Sequence, residues 1–290
     1  MQGNGYIGEV LYHSEPIPSD KSGTLVSVAR AQAGWQTISF SVRRLLKGQY
    51  RQGNTGPEEA AFVILGGKCS VDWGKGPGII GHRANVFSGY PYAAYLPAHT
   101  AFEISAETDC EYADCRAPSE ARLEPRIITP GDVRLEIRGG GNATRQILDV
   151  IRPEFPADRL LICEVYTPSG NWSSYPPHKH DVHNMPFEAD LDETYYYRID
   201  GAEGYAFQRL YDGAGSRDQT LKVTDGDLVL IKDGYHPVVA AYGYNVYYLN
   251  VLAGSARSFA ASDDPRFAHL RKSWPAPDPR VPLIHPGKAQ

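Results

Sequence analysis

Short apolar runs separated by Gly and Pro turns recur along this chain, and almost no window carries the 3.6-residue period of a helix. The clearest runs are residues 60–65 before Gly66 and Gly67, then 101–105, 160–166, 194–199, 205–211, 227–231 and 246–252. Runs of this kind, rich in Val, Ile and Tyr and bounded by turn formers, read as strands. The 29 Gly, 22 Pro and 19 Tyr against only 2 Met agree with that reading, since they combine turn formers with strand-favouring aromatics. The fold class is therefore all-β, built as sandwiches or barrels.

With 290 residues the chain exceeds one small barrel and suffices for two. Its halves echo each other. The stretch beginning Glu59-Ala-Ala-Phe-Val-Ile-Leu-Gly matches Glu193-Thr-Tyr-Tyr-Tyr-Arg-Ile-Asp-Gly at an offset of 134, and Tyr95-Leu-Pro matches Leu230-Ile-Lys at 135. Two matches at nearly one offset predict a duplicated β unit. Residues 120–159 are richer in Pro, charge and Gly and read as the connection, which puts the boundary near residue 150, between units 1–150 and 151–290.

Charge and hydropathy narrow the function. Twenty-nine Lys and Arg stand against 34 Asp and Glu, a net charge of −5, which offers no field for a nucleic-acid backbone or an anionic membrane. The mean hydropathy is −0.40 and no long apolar run suggests a membrane span. The first ten residues lack a basic segment followed by an apolar core, so a cytoplasmic location is expected. Cys69, Cys110, Cys115 and Cys163 form no Cys-x-x-Cys pair and are expected as buried thiols.

The sharpest chemical signal is Tyr175-Pro-Pro-His178-Lys-His180-Asp181. On an extended strand, residues two apart point the same way, so His178 and His180 can offer two imidazoles to one metal, with Lys179 directed away. Glu193 heads the next strand, and Gly226 to His236 reads as a turn, a buried strand, a second Gly turn and a histidine. Three imidazoles and one carboxylate suit Zn, Mn, Fe, Co or Ni, with coordination positions left open. His13, His82, His99, His183, His269 and His285 lack such company and read as local structural histidines.

The order Gly, His-x-His, Glu, Gly-turn-His resembles that of the cupins. Longer words narrow the resemblance: Gly141-Asn-Ala-Thr-Arg-Gln146, Tyr166 through Asp181, Glu193-Thr-Tyr-Tyr-Tyr-Arg198, Phe207-Gln-Arg-Leu-Tyr211, Asp233-Gly-Tyr-His-Pro237 and Tyr247 through Gly254. Together they are similar to the 5-deoxy-glucuronate isomerase family of bacterial myo-inositol catabolism, whose members are bicupins. The resemblance runs from about Gly34 to about Pro265. It implies two tandem cupin-type barrels, the second holding a divalent metal, Zn or Mn foremost, on His178, His180, Glu193 and His236. The interval from His180 to Glu193 is longer than the usual cupin spacing, which predicts an inserted loop, residues 181–192, over the pocket. By the repeat offset the first unit keeps a counterpart only of the glutamate, Glu59, and should bind no metal.

The reaction implied is conversion of 5-deoxy-D-glucuronate into 5-dehydro-2-deoxy-D-gluconate, an aldose–ketose exchange that needs charge stabilisation on two oxygens and a proton carrier. Tyr195 and Tyr197 share strand parity with Glu193 and should face the barrel interior, while Tyr196 and Arg198 face away. Tyr195 is the first candidate for proton handling or substrate orientation, and equally reads as a core tyrosine. Arg209 is the arginine chosen for the substrate carboxylate, since a planar guanidinium matches it bidentately. Three alternatives keep the fold: the related uronate ketol-isomerase of pectin breakdown, an Fe(II) cupin dioxygenase, and a non-catalytic sugar-binding bicupin. The expected partner is a small sugar acid; a homo-oligomer is compatible with the sequence.

Overall fold

The computed structural model describes residues 10–286, and nearly all its regular structure is strand. The helical pieces are one turn at Arg30–Ala33 and the 3-10 segments Val86–Ser88 and Ala268–Ser273. Among the described residues no helix is long and apolar enough to cross a membrane. All four cysteines are buried free thiols, as expected.

Two large antiparallel sheets carry the fold. The first runs Arg126–Ile128, Ala93–Leu96, Glu58–Asp72, Cys110–Pro118, Ser39–Leu45, Gly23–Val28, and Glu58–Asp72 continues past it to pair with Gly78–Arg83 and Ala101–Ala106. The second runs Leu11–Tyr12, Leu228–Ile231, Glu188–Ile199, Val246–Gly254, Leu161–Thr167, Arg145–Ile151, Arg134–Arg138. A four-stranded sheet, Trp172–Ser173, Val238–Ala240, Ala206–Tyr211, Asp218–Val223, lies opposite the second and closes its barrel. This is the tandem cupin-type architecture.

The two-residue period of each central strand decides what goes where. In Glu58–Asp72, Ala60, Phe62 and Ile64 fill the first barrel, while Ala61, Val63 and Leu65 enter a core shared between the two sheets. In Glu188–Ile199, Tyr195 and Tyr197 fill the second barrel, and Tyr196 enters the shared core, where its ring lies 5.8 Å from Phe40. Tyr196 therefore faces away from the barrel without facing solvent. Strands buried on both faces read as continuous apolar runs rather than as a polar alternation, and this is why the runs were visible.

The facing also corrects the repeat. An offset of 134 superposes Glu59 on Glu193, yet Glu59 shares parity with Ala61 and Val63 of the shared core, whereas Glu193 shares it with Tyr195 of the barrel interior. Only the offset of 135 keeps each face on its own kind, as Tyr95 and Leu230 do. Glu59 is thus no vestigial ligand. It is fully buried, accepts the backbone N–H groups of Asp158, Arg159 and Leu160 at 2.7 Å each, and accepts the Tyr95 hydroxyl at 2.6 Å.

The sheets divide the chain earlier than residue 150. Arg134–Arg138 and Arg145–Ile151 already belong to the second sheet, and Leu11–Tyr12, from the opposite end, pairs with Leu228–Ile231. The Pro, Gly and charge of residues 120–159 occupy turns around edge strands, which composition alone does not separate from a linker.

A buried ion pair crosses between the units. Arg83 of the first meets Glu164 of the second at 2.5 and 3.0 Å, and Glu164 also accepts the hydroxyls of Tyr166 (2.8 Å) and Tyr247 (2.9 Å). Burial pushes the Arg83 pKa down, but the Glu164 charge outweighs it and the net shift is upward. Removing one partner of such a pair leaves a charge uncompensated at about 3–5 kcal/mol. Glu164→Ala should lower unfolding free energy by about that amount in denaturant titrations, and Arg83→Met combined with Glu164→Leu should recover most of it; additive losses in the double variant would contradict the coupling.

Candidate metal centre and its pocket

The elements converge on one end of the second barrel. His178 lies on the two-residue strand His178–Lys179, paired with Ser262–Asp263, and His180 follows it. Glu193 projects inward from the central strand. His236 arrives after the turn at Gly234, whose φ of +79° and whose hypothetical Cβ, 2.6 Å from the Tyr211 carbonyl, admit only glycine. The Gly234 N–H donates to Asp181 Oδ2 at 2.8 Å, tying the two histidine-bearing segments together.

Backbone carbonyls fix the imidazoles. His180 Nδ1 donates to the Leu191 carbonyl at 2.9 Å and His236 Nδ1 to the Gly234 carbonyl at 3.0 Å. A carbonyl can only accept, so each Nδ1 carries a hydrogen and each Nε2 is turned towards Glu193, the arrangement that orients metal-ligating histidines. The Nε2 atoms of His180 and His236 lie 3.0 and 3.3 Å from Glu193 Oε2, and the three ligand atoms fall within 4.8 Å of one another. His236 Nε2 is buried without a hydrogen-bond partner. An unpartnered imidazole nitrogen, a second one hydrogen-bonded to the same carboxylate oxygen, and that carboxylate form a buried N, N, O donor set, so these residues fit a divalent metal that would take the place of the shared proton.

His178 stands beside this trio, its ring centroid 4.9 Å from that of His236 and 6.5 Å from that of His180. Its Nδ1 is buried and unpartnered, but its ligand atoms lie outside the tight cluster. Burial and the neighbouring imidazoles push the His178 pKa well below the usual histidine range, and burial takes His236 to about 4. Burial also opposes charge on His180, but the hydrogen bond and charge of Glu193 win and raise it.

The pocket over these ligands is lined by Tyr195, Tyr248, Arg138, Arg145, Asp149, Asn250 and Phe259, among others. Tyr195 is fully buried, stacks on Tyr248 with centroids 4.5 Å apart, and bonds through its hydroxyl to Ser174 Oγ at 2.9 Å. Ser174 holds a left-handed backbone, φ 50°, unusual for a residue other than glycine. The Tyr195 ring centroid lies 5.9 Å from that of His236. Burial lifts the Tyr195 pKa well above 10.

Arg209 is not on this pocket. On Ala206–Tyr211 the inward residues are Ala206 and Leu210, so Arg209 shares the outer face with exposed Phe207. Its guanidinium is held bidentately by Asp218 at 2.6 and 2.7 Å and lies over Tyr211. Lys179, as expected, points away, to Asp181 and Glu188. The expected overhanging loop is a β-hairpin, Asp181–Asn184 against the start of Glu188–Ile199, and its exposed tip residues Met185 and Phe187 do not line the pocket. Phe259, Ala260 and Ala261 do. Arg145, Asp149 and Asn250 were missed; the signal was present in strand parity, for Arg145 and Asp149 stand two residues either side of the barrel-facing Ile147 and share its face.

Tandem barrels with a His-His-Glu cluster and a pocket in the second define a bicupin with one candidate metal centre. The chain belongs to the KduI/IolB family, whose model matches residues 11–270. It is 44% identical over 252 residues to a 5-deoxy-glucuronate isomerase of Geobacillus thermodenitrificans, covering 85% of this chain and 90% of that one. A Bacillus subtilis protein of the same name is 40% identical over 231 residues, 79% and 85% of the two chains. The crystal structure of an IolB-like protein from Salmonella typhimurium superposes with a TM-score of 0.85 at 35% identity, covering 90% of this chain and 98% of that one. An oxalate decarboxylase of Lactobacillus farciminis shares the fold, with a TM-score of 0.64 at 13% identity over 90% of each chain.

His236→Ala should abolish stoichiometric metal uptake, measured by elemental analysis after dialysis, with the circular dichroism spectrum unchanged. Arg209→Ala should leave metal content and turnover within about twofold of the parent, because its guanidinium partners, Asp218 and the Tyr211 ring, do not line the pocket; a larger loss would return Arg209 to the site.

Proposed function

We infer that this chain is an aldose–ketose isomerase converting 5-deoxy-D-glucuronate into 5-dehydro-2-deoxy-D-gluconate in myo-inositol catabolism. The observation that carries the reading is the convergence of His180, Glu193 and His236 beside a pocket lined by His180 and Glu193, in a member of the KduI/IolB family. Those three residues, joined by His178 as the fourth, would hold a divalent ion, Zn or Mn, which supplies Lewis-acid stabilisation of oxygen charge.

The chain's own side chains do the rest. The aldose-to-ketose exchange removes a proton from the carbon beside the aldehyde and returns one to the aldehyde carbon, while the hydroxyl proton leaves the oxygen of the former carbon and one is taken up by the oxygen of the latter. Tyr195, kept protonated at neutral pH by burial, donates a hydrogen bond to a substrate oxygen as negative charge develops there. Asp149 is the pocket carboxylate outside the ligand cluster, and burial raises its pKa, moving it towards the working range of a general base. Tyr248, stacked on Tyr195 and bonded to Ser173, fixes the tyrosine ring against that task.

Chelation should abolish conversion of 5-deoxy-D-glucuronate, followed by product chromatography, and added Zn or Mn should restore it; full activity in the stripped protein would refute the metal role. Offering the pectin-derived uronate side by side should give turnover at least tenfold lower, and the reverse preference would favour the related isomerase. Tyr195→Phe should reduce kcat by about 10²–10⁴ with KM changed little, whereas an unchanged kcat would leave Tyr195 a packing residue.

A further inference from the structure

We propose that Arg145 is the anchor for the substrate's carboxylate, holding the sugar acid by its charged end while the aldehyde end reaches the ligand cluster. The proposal rests on the isomerase reading for the identity of the acid, but the anion site itself is argued from the pocket alone. Arg145 is 2% exposed and lies on the barrel-facing side of Arg145–Ile151, in the wall that also holds Glu193 and Tyr195. Its Nη1 donates to the carbonyls of Tyr175 at 3.0 Å and Ala143 at 3.4 Å. Among the described residues no carboxylate stands within 4.0 Å of its guanidinium. Carbonyl dipoles hold the group in place without cancelling its charge.

Arg257 is likewise held by backbone carbonyls, those of Arg152, Pro153, Phe155 and Leu160, but it is only half-buried and lies off this pocket; two other arginines give the contrast. Arg83, equally buried, is neutralised by Glu164, and Arg138, in the same pocket wall, is clamped by Glu136 at 2.8 Å through both nitrogens. Asp149 follows Arg145 by four residues on the same strand face, about 13 Å along the strand, beyond pairing distance. Burial, then the nearby Arg138, lower the Arg145 pKa to about 10, the direction given by a cation lacking its anion. A buried guanidinium that faces a pocket and is paired to no carboxylate is complementary to a planar, bidentate anion delivered from solution.

The test compares an acid with its neutral isostere on the metal-loaded protein. D-Glucuronate and D-glucuronamide are titrated by calorimetry into the parent, Arg145→Lys and Arg145→Met, with metal content measured for each. In the parent the acid should bind at least tenfold more tightly than the amide; comparable affinities would overturn the proposal without any variant. In Arg145→Met that preference should fall to within about twofold of unity, with Arg145→Lys between. A merely structural Arg145, supporting the Tyr175 and Ala143 carbonyls, would weaken both ligands alike and keep the preference, which would refute the anchor. If 5-deoxy-D-glucuronate is not converted while the acid preference still depends on Arg145, the isomerase reading falls and the anion site stands.

Discussion

Burial on both faces of the strand Glu188–Ile199 is the constraint on which the rest of the molecule depends. One face enters the core between the units and the other enters the second barrel, so a slip of one residue would exchange Tyr196 with Tyr195 and withdraw Glu193 from the histidines. Both sides of the strand are hydrogen-bonded as well, to Leu228–Ile231 and to Val246–Gly254. Four walls therefore fix one side chain, the carboxylate of the candidate metal centre, and its position is as rigid as the core itself. Preorganisation of this sort is what a site needs if its ligands are to be held before the ion and substrate arrive.

Three buried charges show three ways of being accommodated. Glu59 is satisfied by three backbone N–H groups and a tyrosine hydroxyl, and fastens residues 158–160 to the first unit. Glu164 is satisfied by Arg83 and two tyrosines, and joins the units. Arg145 has carbonyl support alone. The first two are structural because their partners lie in the chain; the third is unbalanced because its partner does not. The charged groups between the two units are spent on packing, whereas Arg145 and Asp149 of the second barrel line a cavity.

The same comparison shows why the histidines were readable and Arg145 was not. His178, His180 and His236 stand in short words with turn residues, and the nomination of each as a candidate ligand follows from the residues beside it. Arg145 sits in a strand whose neighbours, Leu161–Thr167 and Arg134–Arg138, are assigned by pairing at a distance, and in a region whose Pro and Gly content looks like a linker. Arg209 had the better local word, yet its strand parity, set by Ala206 and Leu210 against the barrel, turns it outward to Asp218. Likewise the Glu59 echo of Glu193 is real as a string and false as a face.

What the sequence by itself determined is the all-β class, the duplication, and the ligand words, because strand period, turn glycines and His-x-His spacing are properties of adjacent residues. The tertiary structure alone decided which face of each strand meets which core, that Leu11–Tyr12 completes the second sheet, and which arginine lies in the pocket. Those outcomes depend on pairings such as Leu11 with Val229 and Arg83 with Glu164, between residues far apart in the chain. Only when sheets close does a side chain acquire an inside or an outside, and a charge a partner or the lack of one.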